Sequence, residues 1–312
     1  MPVTIAHAPN RGIDPRALFA IRNLEVRARV IVDGLWAGLH RSPFTGFSVE
    51  FTEYRQYSPG DDLRYLDWRV LARTDRDYVK KFEEETNLRC QLLVDTSRSM
   101  LFGSRGYTKA DYARTLAATL GYFLFHQRDV VGLALFDDGV REYLPARWRP
   151  GHLRHLLALL ERSPEGRATR LDRVLDEVAQ LWRKRSLVVV VSDLLPPVAG
   201  WDRAFARLVA TGHDVRVLQV LDPAEQTLDF GSPALWEDLE DGRRVYVDPA
   251  QARRSYRERF AAHQTEVRRA LEERGVSHQV VSIDRPLDYV LLEMLQGGRV
   301  SRLAARRWRT RG

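Results

Sequence analysis

The chain contains very little cysteine: Cys90 is the only one in 312 residues. A single thiol cannot form a disulfide within the chain, so a disulfide-stabilised secreted scaffold is excluded. Cys90 stands at the start of an apolar run rather than at a helix start. We therefore expect a buried thiol there and not a nucleophile.

Long hydrophobic runs are also lacking. No segment approaches the ~18–20 consecutive apolar residues that a transmembrane helix needs, so we expect no membrane span. Residues 1–10 show no basic segment followed by a long apolar one, which is the mark of a secretion signal. Together with the low cysteine content, these absences lead us to expect a cytoplasmic protein.

Several enzyme signatures are missing. There is no G-x-x-x-x-G-K-S/T loop, which argues against ATP hydrolysis by that route, and no G-x-S-x-G nucleophile elbow. His152 and His155 have a spacing typical of one helix face, but no carboxylate or cysteine pattern accompanies them. We interpret them as a surface pair rather than as a metal site.

The overall composition is that of a globular protein with a hydrophobic core, with 44% hydrophobic and 29% charged residues. The formal net charge is +7. Basic and acidic residues are interspersed except in the tail from Arg299 to Arg311, which is rich in Arg and has no acid. We expect this tail to be solvated or to face a partner. Binding to a nucleic-acid backbone is the less favoured alternative.

From residue 88 onward, strand-like and helix-like segments alternate, which is typical of a mostly parallel sheet with helices on both faces. The apolar runs predict parallel strands at 89–94, 130–136, 187–191, 214–220 and 278–283. A turn at 137–139 leads into an antiparallel edge strand at 140–144. Apolar periodicity predicts helices at 109–125, 152–160, 171–182, 202–210, 249–274 and 287–295.

The domain organisation follows from the same patterns. Residues 1–87 contain a predicted helix at 15–37 and then a small β-rich segment, with strands at 46–51 and 78–82. Residues 88–297 form the α/β domain, with a small β insertion near 226–248. Residues 298–312 are the basic tail.

The segment that ends the first predicted strand contains candidate metal ligands. Asp95 ends an apolar run, and Ser97 and Ser99 follow at alternate positions. One carboxylate and two hydroxyls are hard oxygen ligands, which suit Mg²⁺ with its six oxygens at about 2.0–2.1 Å. We expect Mg²⁺ here, with Mn²⁺ or Ca²⁺ as alternatives.

Two further oxygens belong to distant segments. In a doubly wound sheet of order 3-2-1-4-5-6, strands 1 and 4 are neighbours, and ligands bind beside their carboxyl ends. Asp95 ends strand 1. We count the strand before Asp193 as the fourth parallel strand, with the edge strand left out, so the two acids are expected to face each other. Thr169 precedes a helix, either as its N-cap or with its hydroxyl turned to the same crevice.

This constellation resembles the metal-ion-dependent adhesion site of von Willebrand factor A domains. The pattern there is D-x-S-x-S after the first strand, a Thr in a later loop and an Asp after the fourth strand. The matching residues here are Asp95, Ser97, Ser99, Thr169 and Asp193.

A second resemblance covers residues 15–297. The segment 46–85, with the motifs RQYSPGDD at 55–62 and LDW at 66–68, is similar to the bacterial family known as domain of unknown function 58. DLEDG at 238–242 and VDP at 247–249 fit the same family. The resemblance implies a von Willebrand A-like fold and a frequent partnership with MoxR-type AAA+ ATPases. It further implies a role in protein maturation, metal insertion or assembly.

Such a site predicts metal-dependent binding of another protein rather than catalysis. The oxygen set leaves a divalent ion under-neutralised, so an acidic residue of a partner protein would complete its coordination. A phosphohydrolase with Asp95 as nucleophile is one alternative. That chemistry uses a second Asp two residues later, where this chain has Ser97, which is a poor acid or base near neutral pH.

Overall fold

The structure is a computed structural model of the 312-residue chain. The residues that it describes are 12–41, 55–56, 78–79, 88–162, 166, 168–230, 232–237 and 242–296.

The main unit is built on a six-stranded sheet of order β10-β7-β6-β3-β4-β5. All neighbouring strands in it are parallel except β4 and β5. The ten described strands are β1 Arg55–Gln56, β2 Tyr78–Val79, β3 Arg89–Asp95, β4 Val130–Phe136, β5 Val140–Arg147, β6 Leu187–Ser192, β7 Asp214–Leu221, β8 Ala234–Glu237, β9 Arg244–Val247 and β10 Ser277–Ser282.

The sheet order confirms the predicted α/β class, a von Willebrand factor A-like doubly wound sheet. Numbered by position along the chain within this sheet, the strand order is 3-2-1-4-5-6. One count needs correction: β6, which precedes Asp193, is the third parallel strand, and it is the fourth only when antiparallel β5 is included. The predicted neighbours are nevertheless right, since β3 and β6 pair from Cys90↔Leu187 to Val94↔Val191.

The edge strand β5 returns antiparallel to β4 after the predicted turn at 137–139. It continues to Arg147, three residues beyond the predicted end. Two register irregularities interrupt the β4–β5 pairing. Such bulges increase local twist and are frequent at sheet edges.

Helices flank the sheet, and six of them agree with the predicted positions to within one residue. The first predicted helix is instead two helices, and the short helix Pro223–Thr227 was not predicted. The nine described helices are α1 Pro15–Phe19, α2 Leu24–Arg41, α3 Lys109–His126, α4 His152–Leu160, α5 Leu171–Leu181, α6 Trp201–Ala210, α7 Pro223–Thr227, α8 Pro249–Glu273 and α9 Leu287–Gln296.

Helices cover both faces of the sheet. Leu93, Val190 and Val217 share a core with the buried sides of α5, α6 and α8. On the other face, a Cβ atom placed at Gly121 of α3 would lie 3.7 Å from Leu92, and successive strand residues point to opposite faces. Strand β6 is buried at every position. Each such Val or Leu side chain contributes roughly 1.5–3 kcal/mol on burial.

The N-terminal helix is a correction to the sequence prediction. One helix was expected from 15 to 37, but the chain forms α1 and α2 with a break at Ala20–Asn23. The Asn23 side chain accepts a hydrogen bond from the Val26 backbone N–H at 2.9 Å, which starts a new helix. Asp14 is the N-cap of α1, and its side chain accepts a hydrogen bond from the Arg16 N–H at 2.9 Å. The ring of Phe19 stacks on the ring of Tyr107, with the two ring centroids 4.1 Å apart.

A second compact unit spans residues 41–87 and 295–312. Its described strands, β1 and β2, form an antiparallel pair with Arg55 opposite Val79. The predicted strand at 46–51 lies outside the described residues. The proposed division of the chain at 87/88 and at 297/298 stays a prediction.

The expected β insertion near 226–248 is a short hairpin of β8 and β9. No helix in the part of the chain described by the structure combines the length and apolar character that crossing a membrane requires.

Candidate metal centre

Asp95 lies at the carboxyl end of β3 and is almost fully buried, with 1% of its surface exposed. Its Oδ1 accepts a hydrogen bond from the Ser97 backbone N–H at 2.9 Å. Its Oδ2 accepts one from the Ser192 hydroxyl at 2.6 Å. Burial first, and then the nearby charge of Asp193, raise the pKa of Asp95 to about 7.

The two serines of the D-x-S-x-S motif lie together just beyond Asp95. Ser97 is buried and precedes a short 3₁₀ turn at Arg98–Leu101, and Ser99 is half-buried within that turn. Their Oγ atoms are 3.0 Å apart. The turn therefore brings two hydroxyl oxygens to one point, as the alternate spacing predicted.

Thr169 belongs to a loop that is packed closely against the Asp95 loop. Gly166 explains this approach, because a Cβ atom there would lie 2.1 Å from the Thr96 carbonyl oxygen and 2.9 Å from the Ser97 Cα. After Thr169, the Arg170 N–H donates to the Asp137 carbonyl oxygen at the end of β4, at 3.0 Å.

The Thr169 hydroxyl is not used by the helix that follows it. The N-cap position of α5 is Arg170, whose side chain makes no capping hydrogen bond, so the alternative of Thr169 as N-cap is wrong. Its Oγ1 is buried and has no hydrogen-bond partner among the described residues. A buried hydroxyl without a partner costs stability. Because Oγ1 makes no hydrogen bond to the described residues, it is available to a ligand that would remove this cost.

Asp193 follows β6 directly and is fully buried. Its Oδ2 is 2.9 Å from the ammonium nitrogen of Lys109, and its Oδ1 accepts from the Leu195 N–H at 3.3 Å. Lys109 is buried too, and it also donates to Glu225 at 2.7 Å. The second acid of the site is thus held by an ion pair.

The five predicted residues all lie at or just beyond the carboxyl ends of β3 and β6, or in the loop packed there. Asp95, Ser97 and Ser99 are linked by direct hydrogen bonds, and Asp193 adjoins Asp95 through Ser192. The Thr169 hydroxyl makes no hydrogen bond to the other four. Their role as metal ligands stays a prediction.

Sequence reasoning missed two contributors. Ser192 is the last residue of the buried β6 run, directly before Asp193, so its position was visible although its contact with Asp95 was not. Lys109 gave no signal, because its contacts with Asp193 and Glu225 cross 84 and 116 residues.

The donor set fits a hard divalent cation. Two carboxylates supply charge, three hydroxyls supply neutral oxygens, and the Thr169 oxygen lacks any other partner. Among the described residues, no group of three or more His, Cys, Asp or Glu side chains has the arrangement of a metal site. A cation here therefore depends on the hydroxyls.

The histidine pair at 152 and 155 is a further correction. His155 is exposed, but His152 is buried, and its Nε2 lies 2.7 Å from the Val131 carbonyl oxygen. His152 is a core residue that joins α4 to β4 and not part of a surface pair.

A mostly parallel sheet in this strand order, with D-x-S-x-S after its first strand, defines the von Willebrand factor A-like class of α/β proteins. The chain belongs to the family described as "Protein of unknown function DUF58", whose model matches residues 53–270.

Relatives exist in mycobacteria. "Uncharacterized protein Rv1480" of Mycobacterium tuberculosis is 30% identical over 295 residues, which are 92% of each chain. "Uncharacterized protein MAV169" of Mycobacterium avium is 30% identical over 152 residues, 48% of this chain and 88% of that protein.

Solved structures with a similar chain path include the conserved hypothetical protein BatB from Bacteroides thetaiotaomicron. It has a TM-score of 0.48 and 15% identity, and the match covers 70% of this chain and 99% of that one. The SpRpn10 VWA domain has a TM-score of 0.37 and 12% identity, over 66% of this chain and 95% of that one.

Proposed function

We propose that this protein is a non-enzymatic module that binds another protein through a divalent cation, most simply Mg²⁺. Asp95, Ser97, Ser99 and Thr169 hold the cation, and Asp193 supports it. The observation that carries this proposal is the buried, unpartnered hydroxyl of Thr169 in a loop packed on the Ser97 loop.

Charge explains why such a site recruits a partner. The negative charge of Asp193 is already paired with the positive charge of Lys109. This chain alone therefore neutralises the cation poorly. Magnesium keeps open positions for water or outside ligands. A carboxylate from the partner protein supplies both the missing charge and a ligand. The loop carries an exposed arginine, Arg98, between the two serines, which also favours an acidic partner.

The partner that we propose is a MoxR-type AAA+ ATPase, in protein maturation or complex assembly. This rests on the family resemblance and not on a contact in the structure. In such a pair the ATPase supplies the energy, and this chain selects the protein that is bound.

A hydrolase is less favoured by the surroundings of Asp95. Its side chain is 1% exposed and both of its oxygens accept hydrogen bonds, so neither is presented as a nucleophile. Position 97, where an acid–base Asp would stand, holds Ser97. The Arg-rich tail at 299–311, on which the nucleic-acid alternative depends, lies outside the described residues.

The experiment is a pull-down of a MoxR-type ATPase from the same organism, with Mg²⁺ and then with EDTA. We expect capture by the wild type in Mg²⁺, and loss of capture in EDTA or with Asp95→Ala. Asp176→Ala is the matched control, because it removes an acid from an exposed ion pair with Arg207. Undiminished capture by folded Asp95→Ala would contradict the proposal.

A further inference from the structure

Lys109 is the buried charged residue that the proposed metal site does not explain. Its side chain is 0% exposed, and it bridges Asp193 and Glu225 at 2.9 and 2.7 Å. A buried lysine is costly unless it is paired, and here it is paired twice. Burial disfavours its charge, but the two carboxylates outweigh burial and raise its pKa. It is therefore a fixed positive charge in the interior.

Lys109 also holds three segments together. It is the first residue of α3, and its N–H donates to the Phe102 carbonyl oxygen at 2.9 Å, just beyond the serine turn. Its ammonium reaches Asp193 after β6 and Glu225 in α7. Glu225 is part of the capping box that starts α7 with Asp222.

Four charged side chains surround the site. The carboxylates of Asp95, Asp193 and Glu225 in their ionised forms carry three negative charges, and Lys109 carries one positive charge. The Lys109 ammonium contacts Oδ2 of Asp193 at 2.9 Å. Two cations in direct contact with one carboxylate oxygen repel each other, so the ammonium disfavours a metal ion on the same oxygen.

Resting on the proposed function, we propose that Lys109 is a positioning residue that keeps Asp193 out of direct coordination. It thereby weakens the site for the cation, so that tight binding requires a carboxylate from the partner. The hydroxyls of Ser97, Ser99 and Thr169, together with Asp95, are then the ligands from this chain. Lys109 makes metal affinity and partner binding depend on each other.

The experiment compares two substitutions with opposite expected effects. Lys109→Met removes the positive charge and frees Asp193, so we expect Mg²⁺ or Mn²⁺ to bind about tenfold more tightly or better. Glu225→Gln removes the carboxylate that competes with Asp193 for Lys109. Lys109 then pairs with Asp193 alone, so we expect weaker metal binding. Gln keeps the hydrogen bonds of a capping box, so this variant retains the start of α7. Metal affinity is measured by titration calorimetry, without any partner.

Stability provides a second measurement. In EDTA, Lys109→Met leaves the buried Asp193 and the half-buried Glu225 without their ion-pair partner and lowers the melting temperature. Added Mg²⁺ restores more of the melting temperature than in the wild type. Lys109→Arg keeps the charge and serves as the conservative control, with metal affinity near that of the wild type. A purely structural Lys109 would lower stability without tightening metal binding.

The outcomes distinguish failure of the role of Lys109 from failure of the metal site. Unchanged or weaker metal affinity in folded Lys109→Met overturns the role of Lys109, while the metal site stands. If Lys109→Met does not fold, Glu225→Gln decides, and unchanged or tighter binding there overturns the role. If the wild type binds no metal but Lys109→Met does, the role of Lys109 stands and metal-dependent function fails. If neither binds, both proposals fail.

Discussion

Gly166 packs so closely on Thr96 that a Cβ atom at position 166 would lie 2.1 Å from the Thr96 carbonyl oxygen. Two loops that are 70 residues apart in the chain therefore meet backbone to backbone. Any side chain at position 166 must push them apart, and with them Thr169 from the serine turn.

Gly166→Ala is the first prediction. We expect it to lower metal affinity and to destabilise the fold by about 1–3 kcal/mol, as overpacking does. Calorimetric metal titration and chemical denaturation measure the two effects. Gly139→Ala is the matched control, because its Cβ would meet nothing closer than 3.6 Å and its backbone φ is not positive. Equal effects of the two substitutions would contradict the close packing of the loops.

Thr169→Val tests the unpartnered hydroxyl. Valine has the same shape but lacks the oxygen, so removing this buried unsatisfied group should raise stability in EDTA by about 1 kcal/mol. Metal affinity should fall at the same time, because one ligand is lost. Thr115→Val is the control: its hydroxyl donates to the Asp111 carbonyl oxygen at 2.8 Å, so its loss should lower stability and leave metal binding unchanged. A stability loss in Thr169→Val would show that the hydroxyl has a partner.

Asp95→Asn separates the charge of Asp95 from its shape. The amide oxygen still accepts from the Ser97 N–H, and Ser192 is able to accept where it donated before. Removing one charge from a buried pair of carboxylates should leave the melting temperature in EDTA unchanged or higher. We expect metal affinity to fall at least about tenfold, because the charged ligand is gone. Wild-type metal affinity in this variant would exclude Asp95 as a ligand.

The buried His152 should make the stability of the fold depend on pH. Burial lowers its pKa below the ordinary value of 6.5. The unfolded chain therefore binds the proton more readily than the folded one, so the stability from neutral His152 is present above pH 6.5 and is lost as the pH falls through the folded-state pKa. We expect His152→Gln to flatten the decline in stability between pH 7 and 5, measured by urea denaturation.

The control for the pH prediction is Arg154→Gln on the same helix. Arg154 is exposed and is not an imidazole, so its replacement should leave the slope of stability against pH as in the wild type. An identical slope in His152→Gln would mean that another buried group sets the pH dependence.

Local sequence patterns were sufficient for most of the fold. The run from Leu187 to Val191 is apolar at every position, which is typical of a strand covered on both faces. Strand and helix alternation then predicted the doubly wound order. The break at Ala20–Asn23 was missed because the apolar stripe continues across it, while the Asn23 side chain competes locally for backbone hydrogen bonds.

The candidate site divides in the same way. The sequence by itself determined that acids end two neighbouring strands and that Ser97 and Ser99 follow one of them, because strand ends and their adjacency follow from local pattern and sheet order. Only the tertiary structure decided that Lys109 pairs with Asp193, that Ser192 donates to Asp95 and that the Thr169 hydroxyl is left without a partner. Those contacts join segments far apart in the chain, and side-chain packing, rather than any periodicity, sets which groups meet.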